Sequence, residues 1–100
     1  MKRKRKVNLS GTPSEHRAAA AQQVKHAQTS ATLLRKVTSC PHRLNALIEL
    51  ESRLGRAGAE IRWIGLHEGK GSHHKLLSTF RKLGLEAGAE TRNFVHDCLR

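Results

Sequence analysis

Leu47, Leu50, Leu54, Ala57, Ile61 and Ile64 recur at alternating intervals of three and four residues, a spacing that an α-helix gathers onto one face and a β-strand scatters over two. An apolar face that long must lie against a partner helix. Two further runs share the pattern. Ala20, Val24, Ala27, Ala31, Leu34 and Thr38 form one stripe, with small Ala side chains that let a neighbour approach closely. Leu76, Phe80, Leu83, Ala87, Thr91, Phe94 and Cys98 form the other, widened by Leu77 and Val95. Abundant Ala and Leu, 37% hydrophobic residues, no Tyr, one Trp and two Phe favour helices and leave little β-branched or aromatic material for a sheet. The expected fold is all-α. A chain of 100 residues is at most one domain with a modest core.

Local signals divide the stripes into three helices. Thr12, Pro13, Ser14 and Glu15 form a helix start, with Thr12 as cap, Pro13 at the first helical position and Glu15 bonding back to the cap amide. Ser39, Cys40 and Pro41 interrupt the pattern, and a second helix is expected from Pro41. Gly55 and Gly58 lie inside it and mark either close packing or a break that would give four helices. Gly65 to Gly71 reads as a loop, with Ser72 capping a third helix from His73 that contains Gly84 and Gly88. Helices of about 22 to 28 residues with short connections give an up-down-up bundle, each about 33 to 42 Å long. The same stripes would also serve an open helical hairpin that completes its core with another subunit.

Charge is the main functional signal. Lys2, Arg3, Lys4, Arg5 and Lys6 follow one another with no acid among them; of 19 Lys and Arg they leave 14 against 8 acids in the rest of the chain. Such a run repels itself until a polyanion neutralises it. With the Asn, Ser and Gly of Val7 to Gly11, residues 1–11 read as an extended basic arm on a helical domain at 12–100. In the first helix Arg17, Lys25, Gln28 and Arg35 fall on an arc beside the Ala stripe, because about 18 residues complete five turns; Lys36 adjoins them. Lys2 to Lys6 with Arg17, Lys25, Arg35 and Lys36 are therefore the candidate nucleic-acid-binding residues. Contacts of this kind grip phosphates without choosing a sequence. The other expectation is an interaction module whose Ala stripe packs on another chain, or on a second copy, while the arm docks to an acidic surface.

Other chemistry is thinly supplied. Gly65 to Ser72 has a superficial likeness to a phosphate loop, but Gly71 separates Lys70 from Ser72 and no strand precedes it; Lys70, His73 and His74 could still meet a phosphate at a helix start. Cys40 with His42, and His96 with Cys98, lie at helix ends that coincide in a bundle, which raises zinc or a Cys40 to Cys98 disulfide. His96 and Cys98 are two positions apart and point away from each other on a regular helix, so two buried reduced thiols are favoured over either. His16, His26, His42, His67, His73 and His74 occupy polar positions, mostly solvent-facing, and Trp63 reads as a core-edge residue. No Cys–His or His67–Glu68 pairing has an orienting third group, so the chain reads as a non-enzyme without cofactors. No stretch approaches the roughly 18 apolar residues of a membrane span, and an intracellular location without membrane contact is expected.

Leu9-Ser10-Gly11-Thr12-Pro13, with His16 three residues on and the Lys/Arg run before it, resembles the opening of small uncharacterised basic proteins of bacteriophages and prophages. The resemblance covers roughly the first sixteen positions. It implies a phage accessory or virion-associated protein, placed in the host cytoplasm or the virion, and carries no assigned activity.

Overall fold

The computed structural model describes residues 11–69 and 73–99 as three helices: α1 (Pro13–Lys36), α2 (Cys40–Glu68) and α3 (His74–Cys98). There is no strand among the described residues. The Thr12 capping box forms as its sequence requires: Glu15 N donates to Thr12 Oγ1 at 3.1 Å and Thr12 N donates to Glu15 Oε1 at 2.9 Å. Only Val37, Thr38 and Ser39 separate α1 from α2, a connection too short for anything but antiparallel neighbours. Ser39 restarts the helix, its hydroxyl accepting from His42 N at 3.3 Å.

The stripes meet in the interior. Ala20, Val24, Ala27, Ala31 and Leu34 of α1, Ala46, Leu47, Leu50, Ala57, Ile61 and Ile64 of α2, and Leu83, Ala87 and Phe94 of α3 are buried. α1 packs chiefly on α2, where its alanines allow a close approach, and α3 closes the third side. The chain therefore forms a bundle rather than an open hairpin. Each buried Leu or Ile contributes about 1.5–3 kcal/mol on leaving water, and α3, with only three fully buried residues, holds the smallest share.

Three sequence expectations need correction, and the alternatives left open at Gly55 and Gly58 are decided. Thr38 is exposed beyond the end of α1, which closes at Val37, whose amide donates to the Leu33 carbonyl at 3.2 Å. α2 does not break at Gly55 or Gly58. Gly58 instead marks close packing: a Cβ there would lie 3.2 Å from the Phe80 ring. Nor does the loop begin at Gly65. Burial of Ile61 and Ile64 and the bond from His67 Nδ1 to the Trp63 carbonyl at 2.9 Å carry α2 on to Glu68, and Gly69, with φ of 89°, turns the chain. The favoured pair of reduced thiols is replaced by a Cys40–Cys98 disulfide with a Cα–Cα distance of 5.8 Å, because the up-down-up order brings the first residue of α2 against the last of α3. Both sulfurs are thereby withdrawn from zinc and from nucleophilic chemistry. Residues 1–10, which carry Lys2 to Lys6, and the expected cap Ser72 lie outside the described residues.

Candidate nucleic-acid interface

Glu15 is the only acid before Glu49, so past its first turn α1 carries no negative charge. Its buried residues fix which way the rest points. With Ala20, Val24, Ala27, Ala31 and Leu34 inward, Lys25, Gln28, Thr29, Thr32, Leu33 and Lys36 face away from the bundle and line a shallow groove. Gln28 and Thr32 also border the α1–α3 seam, together with Thr79, Lys82 and Glu86. Lys82 in turn belongs to a depression on α3 with His74, Ser78 and Arg81. These depressions run on from α1 to α3, and their cations stand among exposed apolar side chains, Leu33 on α1 and Leu85 on α3.

The sequence-predicted cations divide on this surface. Lys25 and Lys36 are exposed and form no ion pair among the described residues. Arg17 and Arg35, expected on the solvated arc, instead hold the bundle together, Arg17 on Glu68 of α2 and Arg35 on Glu86 of α3. Being half exposed, these pairs set geometry more than stability. The sequence reading missed Arg81 and Lys82, both exposed. A signal for them existed, since His74 and Arg81, like Lys75 and Lys82, are seven residues apart and share a helix face.

Local neutralisation of the acids sharpens the contrast. Of the 8 acids, six accept a hydrogen bond or ion pair: Glu15 from the Thr12 amide, Glu60 from His16, Glu68 from Arg17, Glu86 from Arg35, Glu49 from Arg53 and Asp97 from Arg43 and His96, with Glu51 and Glu90 the two that do not, because the Thr91 hydroxyl beside Glu51 gives its proton to the Ala87 carbonyl at 2.8 Å. The hydrogen bond from His96, aided by Arg43, holds the exposed Asp97 carboxyl below its usual 3.8. What remains unpaired on α1 and α3 is predominantly positive: Lys25, Lys36, Lys75, Arg81, Lys82 and Arg92 against Glu90 alone. Arg56 and Arg62 of α2 are also exposed, outside the groove lining.

The root of α1 is pinned where the arm joins it. His16, expected in solvent, is 5% exposed. Its Nδ1 donates to Glu60 at 2.5 Å and its ring stacks on Trp63 at 3.8 Å, while Trp63 stacks on His67 at 4.0 Å. His73 is buried too, beside Gly65, whereas His42, His67, His74 and His96 are exposed. Trp63 is the core-edge residue its position implied. Sandwiched between two imidazoles, it offers no face to a nucleobase.

Among the described residues no group of three or more His, Cys, Asp or Glu is placed to hold a metal ion, and no helix is long and apolar enough to cross a membrane. No family model, curated protein or solved structure matches the chain.

Proposed function

We propose that the chain binds nucleic-acid phosphates without sequence selection, using Lys2 to Lys6 as an arm and Lys25, Lys36, Arg81 and Lys82 as a second contact on the bundle. The observation that carries it is the imbalance of charge. Most carboxylates are satisfied among the described residues, while the α1–α3 surface keeps cations that form no ion pair there, and the run Lys2 to Lys6 adds five more positive charges. Arg17 and Arg35 reach phosphate only by leaving Glu68 and Glu86, so they contribute less than their charge suggests. Lysine on phosphate displaces condensed counterions, and that release supplies the affinity. Deleting residues 2 to 6 is expected to lower retention of both DNA and RNA in a mobility-shift assay, leaving the helical content unchanged. Undiminished retention after the deletion would overturn the assignment of the arm.

One observation favours a second reading. Leu44 and Ile48 of α2, Val95 of α3 and Leu99 just past its end are exposed, Ile48 and Leu99 by 59% and 66%, all within eight residues along the chain of a cysteine of the Cys40–Cys98 bridge. Apolar side chains collected there suit a protein surface, from a second copy or another chain. A protein that is monomeric by light scattering at high concentration and captures no partner would remove that support.

The phage resemblance and the disulfide point to one setting. Disulfides persist on virion and cell surfaces and are rare where glutathione keeps thiols reduced, so a virion-associated role suits Cys40 and Cys98 better than a reducing cytoplasm.

A further inference from the structure

We infer that the outer side of the α2–α3 seam receives an acidic amphipathic helix from another protein, which takes the fourth position of a helical bundle. The inference rests on the protein-surface reading of Leu44, Ile48, Val95 and Leu99 and is independent of phosphate binding. Among the described residues seven large hydrophobics are exposed, and Leu33 alone belongs to α1. Leu44, Ile48 and Leu66 are on α2, Leu85 and Val95 on α3, and Leu99 just past its end. Apolar surface left in water on one pair of helices marks an interaction site.

α2 and α3 meet at the Cys40–Cys98 bridge, where Thr91 stands beside Glu51, and where Phe80 lies over Gly58. Leu44, Ile48, Gly55, Arg62 and Leu66 share a strip of α2 turned about 60° past those contacts. Leu77, Arg81, Gly84, Gly88, Val95 and Leu99 make the matching strip on the α3 side. Contacts to α1, through Arg53 and Glu60 on α2 and Glu86 on α3, lie round the other way. A turn of about 60° is the direction in which one further helix touches both, because three mutually packed helices stand at the corners of a triangle. The antiparallel register of the bridge and the Gly58–Phe80 contact sets Leu44 opposite Val95, Gly55 opposite Gly84 and Arg62 opposite Leu77. At Gly55 and Gly84 nothing lies within 4 Å of where a Cβ would stand. The middle of the seam is therefore bare on both walls, with room for the close approach of a helix.

Charge decides the chemistry of the occupant. Arg62 and Arg81 stand within the strips, Arg92 reaches to 3.7 Å from the Cβ position of Gly88, and Arg56 flanks α2. None of the four forms an ion pair among the described residues. Glu51 is the one carboxylate on this side of the two helices. A second copy, itself carrying a net charge of +11, would bring like charges together, which costs affinity. An anionic lipid surface supplies negative charge but is flat, and leaves the space between Gly55 and Gly84 unfilled. A helix with an apolar stripe between acidic flanks meets both demands, in the helix-in-groove manner. Leu44 to Arg62 covers about 27 Å of α2, so the occupant engages over about 18 residues.

The test uses the full chain and three labelled peptides of about 20 residues, each stapled into a helix. One carries leucines on a three-four stripe with glutamates on both flanks, the second has lysines in place of the glutamates, and the third scrambles the first. Fluorescence anisotropy is expected to show the glutamate peptide bound about tenfold or more tightly than either of the others, the scale of one good interface anchor. Gly55→Leu with Gly84→Leu fills the seam at exposed helical positions that do not threaten folding, and is expected to weaken that peptide about tenfold with helical circular dichroism retained. Arg62→Glu with Arg81→Glu is expected to reverse the preference between glutamate and lysine peptides. Equal affinity for the scrambled peptide, equal affinity in the glycine double variant, or no binding at all overturns the inference. Preferential binding of phosphatidylserine vesicles over the peptide overturns it in favour of a lipid surface. A wild-type dimer in light scattering that Ile48→Glu dissociates overturns it in favour of a second copy, while the protein-surface reading stands.

Discussion

Replacing Cys40 and Cys98 together by Ser removes a cross-link between residues 58 positions apart. In the chain-entropy description, a closed loop of that length restricts the denatured state by about 4 kcal/mol at 25 °C. For a domain whose whole stability is expected at about 5–15 kcal/mol, that is a large fraction. The urea midpoint should fall by about 2 M if the denaturant slope is near 2 kcal/mol per M, and the melting temperature by about 20 °C. Trp63 fluorescence and helical circular dichroism report independently, so coincident curves would also establish a two-state transition. The loss should concentrate on α3, which buries fully only Leu83, Ala87 and Phe94 and is tied to α2 at its last residue. Amide exchange along α3 should accelerate before that of α1. Midpoints that coincide with and without a strong reductant, in wild-type protein whose mass shows two free thiols, would refute the bridge and restore the reduced pair that the sequence favours.

Gly55→Ala and Gly84→Ala should each stabilise the protein by about 0.5–1 kcal/mol, because both glycines are mid-helix with open space where a Cβ would go; Gly58→Ala should gain less, since its methyl presses on Phe80, and thermal melts rank the three. His16→Ala should cost about 2–3 kcal/mol by urea titration, removing a buried ring stacked on Trp63 and leaving Glu60 without its donor; a loss below about 0.5 kcal/mol, the level of an ordinary surface site, would mean the stack is not formed. Asp97 should titrate below 3.8, so what it adds to stability is complete above that pH and fades as acid carries the protein through the lower, folded midpoint. Carboxyl carbon shifts should show His96→Ala and Arg43→Ala each raising that midpoint, since the hydrogen bond from His96 is the largest cause of its lowering and Arg43 adds a hydrogen bond and its charge.

The helices were legible because their evidence is local. A three-four stripe from Leu47 to Ile64 and the Thr12–Glu15 box each lie within a few turns of chain, and both formed as read. What was missed depends on residues far apart. Arg17 and Arg35 looked solvated because their acids, Glu68 and Glu86, each lie 51 positions away. His16 looked polar and exposed because nothing near it in sequence announces Glu60 and Trp63. Gly65 looked like the start of a loop on composition, but tertiary burial of Ile61 and Ile64 outweighed the roughly 1 kcal/mol helix cost of a glycine. For the candidate interface, Lys25 and Lys36 were found from the α1 periodicity, whereas Arg81 and Lys82 emerged only once α3 was seen to lie beside α1.

The salt dependence of duplex binding tests the central claim most directly. Engagement of the five arm cations alone predicts that the logarithm of the association constant falls against the logarithm of salt concentration with a slope near 4.5, rising to about 6 when Lys25 and Lys36 also reach phosphate. Lys25→Ala with Lys36→Ala should bring the slope back toward the arm-only value. A slope near zero, unchanged when residues 2 to 6 are deleted, would contradict phosphate binding by this protein.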